Sequence, residues 1–187
     1  MTNLMQTPAD LPRPVDDGAC DHLVGLRLPD LQLPATRRTS VHLAELSRGR
    51  SVIFCYPMTG QPGVALPEGW DAIPGARGCT PQACSFRDSV ADFAELGVTV
   101  YGLSTQTSGY QREMAARLHL PYDVLSDAHM DFARALNLPT FEAAGAILIK
   151  RLTLIIRDGI IEAVLYPVFP TDQSAAQTLA WLRRSTP

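Results

Sequence analysis

The chain has 187 residues, 46% of them hydrophobic and 19% charged, with a formal net charge of −3. That length suits one domain with a sizeable core, and the charge excludes a strongly basic nucleic-acid binder. No apolar run approaches the roughly 20 residues that span a bilayer. The first residues lack a basic stretch followed by an apolar one, so no secretory leader is read and the cytoplasm is the expected compartment. The four cysteines, Cys20, Cys55, Cys79 and Cys84, are too few for a disulfide scaffold of this size.

Residues 1–21 are rich in Pro and Asp and read as an N-terminal arm, leaving 22–187 as the domain. "LRLPDLQLP" alternates like a short strand or hairpin, and 40–46 reads as a helical turn. "SVIFCYP" (51–57) is apolar, β-branched and aromatic, a buried strand ended by Pro57. A long Gly- and Pro-rich loop follows, 58–78, and connections of that length are functional or disordered. A helix should then begin near Thr80, which suits an N-cap, with Pro81 at the first helical position. Ala83, Phe86, Val90, Phe93 and Ala94 give it one apolar face up to Gly97.

"VTVYGLST" (98–105) and "YDVLSD" (122–127) read as strands. "SGYQREMAARLHL" (108–120), "HMDFARALNL" (129–138) and "DQSAAQTLAWLRR" (172–184) read as helices. "GAILIKRLTLIIRDGIIEAVLYPVF" reads as two strands around the turn Arg157-Asp158-Gly159. Strand–helix alternation with an antiparallel hairpin implies an α/β chain with a central mixed sheet flanked by helices.

Two thiols stand five residues apart in "ARGCTPQACSFRD" (76–88). Cys79 precedes the helix, where unpaired backbone N–H groups favour a thiolate; Cys84 lies a turn inside. Cys79 is therefore the expected nucleophile and Cys84 the second thiol. Five residues of helix rise roughly 7.5 Å, more than the Cα separation of about 7 Å that a disulfide spans. Joining the two requires the first turn to unwind. Cys20 and Cys55 read as structural. A zinc site is not expected, because no second close pair of ligands accompanies Cys79 and Cys84.

"SVIFCYP", "GCTPQACSFRD", "GVTVYGLST", "LPYDVLSD" and "KRLTLIIRDGIIEAVLYPVF" together resemble the peroxiredoxins, in particular the Q-type or bacterioferritin-comigratory branch, over residues 23–184. The resemblance implies a thioredoxin-like fold with an N-terminal extension. It also implies reduction of hydrogen peroxide or organic hydroperoxides without a metal or bound cofactor. Cys79 would be the peroxidatic thiolate, Cys84 the resolving thiol, and Arg151 the cation holding thiolate and peroxide. The implied partners are the peroxide and a thioredoxin-like or other thiol reductant, with no nucleic acid and no membrane; the chain would be a monomer or homodimer.

The family pattern places a proline and a Thr or Ser at fixed distances before the peroxidatic cysteine. Here Ala76 stands three residues before Cys79 and Pro74 five before it. Pro57 and Thr59, in "YPMTG", are the alternative proline and hydroxyl, with the loop 58–78 as an insertion. Pro57, Pro74, Thr80 and Trp70 are expected around the substrate pocket. The insertion's Leu66, Trp70 and Ile73 either wall that pocket or pack the loop on itself. The altered motif also motivates another reading: a thioredoxin-fold thiol–disulfide oxidoreductase, or a redox-responsive binding module, with weak peroxidase activity.

Overall fold

The computed structural model describes residues 10–185, together with Leu4 and Pro8. The arm expected over 1–21 therefore lies partly outside the described residues.

The sheet is built around β3 (Arg50–Cys55), whose sequence RSVIFC is buried on both faces after its first residue. It runs parallel to β4 (Val98–Ser104), which runs parallel to β5 (Val124–Ser126). On its other side β3 pairs antiparallel with β8 (Leu152–Arg157), and β8 with β9 (Ile160–Leu165). The order β5-β4-β3-β8-β9 is thus the mixed sheet expected from the sequence. Its β8–β9 turn carries Asp158 at φ 51 and Gly159 at φ 76, the two left-handed positions of a type I′ hairpin.

Alternation along the strands divides the interior into two cores. Val52, Phe54 and Tyr56 point to one face, with Phe86, Phe93, Met114 and Leu179 from the helices. Ile53 and Cys55 point to the other, with Leu23, Val41 and Phe132. That second face is covered by the first part of the chain, including the hairpin β1 (Gln32–Pro34) and β2 (Ser40–His42), and by α4 (Asp131–Ala135). Helices α1 (Cys79–Asp88), α2 (Val90–Glu95), α3 (Ser108–Arg117) and α5 (Ser174–Arg184) carry the first face. No helix among the described residues is long and apolar enough to cross a membrane.

Several elements differ from expectation. The helix drawn from Thr80 to Gly97 begins at Cys79, with Gly78 rather than Thr80 as N-cap, and breaks at Ser89. Residues 40–46 are not one helical turn: Ser40–His42 is a strand, and the 3-10 turn is Leu43–Ser47. The run 145–156 is two strands rather than one. Its first half, β7 (Ala146–Ile149), pairs with β6 (Thr140–Ala143) in a separate hairpin. Ala144 at φ 52 and Gly145 at φ 73 make that turn, which propensity alone hides because alanine rarely adopts it. Lys150 and Arg151 link the two sheets.

Gly102 of β4 sits opposite Phe54 of β3, and a Cβ there would lie 2.9 Å from Phe54 Cζ. The Phe54 ring is pinned from the far side by Phe86 of α1, stacked at 4.3 Å, and by the edge of Tyr122 at 5.7 Å. The glycine thus makes room for the ring that joins the sheet to α1. Gly102→Ala is expected to destabilise the fold by about 1–3 kcal/mol through overpacking, read as a lower urea midpoint.

Candidate active site

α1 starts where the chain turns through Gly78 at φ 98. Conformation and space both demand glycine there: a Cβ would lie 2.1 Å from Thr171 Oγ1. The turn puts Cys79 at the first helical position, among unpaired N–H groups and the positive end of the helix dipole. Cys79 is buried, and its thiol donates to the Ala76 carbonyl at 3.5 Å.

Arg151, also buried at 3% exposure, reaches the same point from the link before β8. Its Nε donates to the Gly75 carbonyl at 3.2 Å. Its Nη2 donates to the carbonyls of Ala76 at 3.1 Å and Arg77 at 3.2 Å, and lies 3.1 Å from Cys79 Sγ. Its Nη1 donates to Gln82 Oε1, whose own Nε2 donates to Ser174 Oγ of α5 at 3.1 Å. Among the described residues no carboxylate bonds to this guanidinium. Of its partners only the Cys79 sulfur can carry a negative charge.

Thr59 comes from the loop after β3 and is 1% exposed. Its N–H and Oγ1 both donate to Gln106 Oε1, at 2.9 and 3.1 Å. Gln106 Nε2 and the Tyr110 hydroxyl donate back to the Thr59 carbonyl, at 3.1 and 2.9 Å. A cavity of about 10 Å³ brings together Thr59, Cys79, Thr80, Arg77, Trp70 and Leu66. That is room for about one water-sized molecule.

Pro57 is buried at the strand end and does not line this cavity. Pro74 lines a different one, on the outer side of Arg151. The insertion does both things considered for it. Trp70 and Ala76 form a small third core with Leu148, joined by Leu66, Ile73 and Phe141, while Trp70 and Leu66 also wall the Cys79 cavity. Asp71 of the insertion pairs with the buried Arg77 at 3.2 Å.

Cys84 lies in the helix, buried in the same core as Cys79, and burial raises its pKa, partly opposed by Arg87. All four cysteines are free thiols. Cys20 and Cys55 belong to the core on the opposite face of the sheet. Burial pushes the Cys20 thiol up to about 12 and raises that of Cys55 as well, so both are inert thiols near neutral pH.

Sequence reasoning missed Gln82, Gln106, Tyr110 and Arg77. A signal existed for Gln82, a polar residue three after Cys79 on the face that packs against the sheet. For Gln106 the signal was its place just past the C-terminal end of a parallel strand, where α/β sheets gather their sites.

Comparison with known proteins agrees with this architecture. The Redoxin family model matches residues 23–179. Peroxiredoxin bcp1 of Schizosaccharomyces pombe is 31% identical over 70% of this chain, and Peroxiredoxin Q of Arabidopsis thaliana, named as chloroplastic, is 26% identical over 85%. This chain spans 60% and 66% of the lengths of those two proteins. The crystal structure of peroxidoxin BcpB from Mycobacterium tuberculosis superposes with a TM-score of 0.71 at 30% identity, covering 88% of this chain and 98% of that one. The Q-type resemblance and the thioredoxin-like fold read from the sequence both hold. With its paired thiols on one helix and its matches running from Leu23 into α5, the chain belongs to the redoxin family, and within it to the Q/bcp peroxiredoxins.

Proposed function

We propose that the chain reduces hydroperoxides through Cys79, resolves the product with Cys84, and is recycled by an external dithiol protein of the thioredoxin kind. The observation that carries this reading is the buried Arg151 guanidinium, 3.1 Å from Cys79 Sγ and bonded otherwise to neutral carbonyls and an amide. A buried cation favours an anion beside it, and Cys79 would supply one as a thiolate, exchanging its S–H contact with the Ala76 carbonyl for the bond from Arg151 Nη2.

In the first step the thiolate attacks the distal oxygen of the peroxide. The O–O bond breaks, Cys79 becomes a sulfenic acid, and the leaving alkoxide or hydroxide takes a proton to depart as alcohol or water. Arg151 and the N-terminus of α1 stabilise negative charge on sulfur and on the leaving oxygen. Thr59, which lines the same small cavity, would supply the hydroxyl that Ala76 lacks, its oxygen accepting from the peroxide while its proton stays on Gln106 Oε1. That cavity has room for about one water, so hydrogen peroxide, with two oxygens, would enter only as its walls give slightly. A Xanthomonas campestris bacterioferritin comigratory protein, 19% identical, is described as having alkyl peroxide reduction activity; here an alkyl group would need Leu66 and Trp70 to move.

In the second step the Cys84 thiol displaces water from the sulfenic sulfur, forming a Cys79–Cys84 disulfide. The helix rise between them forbids this while α1 is intact. Unwinding breaks the Gly78–Gln82 backbone bond and the Gln82–Ser174 contact, and brings Cys84 toward water, relieving the desolvation that keeps it protonated. Thiol–disulfide exchange with the reductant then restores both thiols. Because both cysteines lie on one helix, a single chain carries the cycle, as monomer or homodimer. On this reading 22–187 is the catalytic domain, 1–21 an arm, and the cytoplasm the compartment.

Three outcomes test the reading. Cys79→Ser abolishes peroxide consumption, whereas Cys84→Ser consumes one equivalent, accumulates sulfenic acid by mass spectrometry, and does not turn over with a thioredoxin. Normal turnover of Cys84→Ser would remove it as the resolving thiol. Arg151→Ala and Arg151→Lys both slow the stopped-flow peroxide step roughly 100- to 1000-fold, because lysine lacks the planar fork that bonds Gly75, Ala76 and Arg77. Thr59→Val slows the same step and Thr59→Ser restores it. Equal rates in the two would mean the Thr59 hydroxyl plays no part. Trp70 reports these steps by fluorescence, since it is buried against the Cys79 cavity.

A further inference from the structure

A second cavity, of about 270 Å³, lies on the outer side of Arg151 and shares no lining residue with the Cys79 cavity. Most of its walls are apolar, with Ile73 of the loop 58–78, Phe141 of β6, Val168 after β9, and Pro14 and Val15 of the N-terminal arm, which crosses over it; Arg151 lines it as well. Lys150 and Tyr166 also line it, and both grip one carboxylate, that of Asp17 from the arm. Lys150 Nζ donates to Asp17 Oδ2 at 2.7 Å, and the Tyr166 hydroxyl donates to Oδ1 at 2.8 Å. Lys150 Nζ also lies 3.4 Å from the Tyr166 oxygen, so the two donors converge. Oδ1 accepts in addition from the Ala19 N–H at 3.2 Å.

These donors hold Asp17 as an anion, pulling its pKa down to about 2 chiefly through the bonds from Lys150 and Tyr166. The polar end is open to water, with the Lys150 and Asp17 side chains 35% and 46% exposed. Val15, the arm residue that caps the apolar part, is 79% exposed. An apolar interior with a cation and a hydroxyl at its mouth is the form of a site for an amphiphile with an anionic head. Asp17 shows which head fits: a single carboxylate, taken by one oxygen to each donor.

We propose that this cavity binds an amphipathic monocarboxylate of the fatty-acid class. Its chain fills the apolar interior, and its carboxylate takes the place of Asp17 between Lys150 and Tyr166. Asp17 is then an internal competitor, and the arm lifts when the ligand enters. Arg151 lines this cavity as well as reaching Cys79 Sγ, but the ligand's head is held by Lys150 and Tyr166, so failure of the proposal would leave the assignments of Cys79 and Cys84 untouched.

The test is isothermal titration of the reduced full chain near neutral pH with decanoate, decanol and acetate. Decanoate binds saturably and one-to-one, while decanol and acetate bind more weakly, because each lacks one half of the recognition. Asp17→Ala and Asp17→Asn both bind decanoate more tightly than the unaltered chain, since each removes the competing charge. Lys150→Ala and Tyr166→Phe weaken decanoate roughly tenfold, the cost of one charge-assisted or buried hydrogen bond. The proposal is overturned if neither the unaltered chain nor the Asp17 variants bind decanoate saturably. It is equally overturned if decanol binds as well as decanoate, or if Lys150→Ala leaves the affinity unchanged.

Discussion

A guanidinium taken out of water must have every donor satisfied, and around Arg151 that demand organises the site. Three successive carbonyls, of Gly75, Ala76 and Arg77, bend around it, Gln82 meets it from α1, and Cys79 Sγ completes the shell. The loop can turn its carbonyls this way because Gly75 and Gly78 both take left-handed backbone, at φ 77 and 98. One cation thus fixes the end of the insertion, the start of α1 and the position of the thiol. It also leaves Cys79 Sγ as the single ionisable partner among those bonds.

The same helix that positions Cys79, the proposed nucleophile, obstructs the second half of the proposed cycle. α1 is anchored by the Phe54–Phe86 stack, by the Tyr122 hydroxyl on the Ala83 carbonyl at 2.7 Å, and by Gln82 on Ser174. These contacts lie on both sides of Cys84, so its release is a local unfolding event set against specific bonds. The break at Ser89 shortens the helix that must loosen, and α2 can stay docked through Phe93. In the proposed cycle, reactivity toward peroxide and ease of resolution would therefore pull in opposite directions on one turn of helix.

The loop 58–78 supplies most of the walls of the cavity beside Cys79. A hydroxyl three residues before the thiol would lie on the same backbone turn. Here the residue is Ala76, and its carbonyl serves Arg151 and the thiol instead. Thr59, at the far end of the loop, lines the cavity; Gln106 and Tyr110 bond its backbone, and its hydroxyl donates to Gln106. Trp70 closes the space between, and Asp71 holds Arg77 beside it. The outcome is a narrow, buried site whose walls belong to a loop rather than to the sheet.

Much of this was legible in the residues. Periodicity and turn chemistry determined the strands 51–57 and 98–105, the Asp158–Gly159 hairpin and the mixed sheet, because burial on a strand or helix imposes local patterns that survive in sequence. The spacing of Cys79 and Cys84 at a helix start singled out the thiol pair for the same reason. Other features depended on contacts between distant segments, which no local pattern records. The break at Lys150 and Arg151 follows from a side chain turned inward to carbonyls some 75 residues earlier. Gly78, not Thr80, begins the helix because only glycine clears Thr171. That Thr59 and Cys79 share one cavity across the long loop between them was decided by the tertiary structure alone. A loop's endpoints are set by what its apolar residues bury, and Trp70 found its partners in Ala76 and in Leu148 of β7.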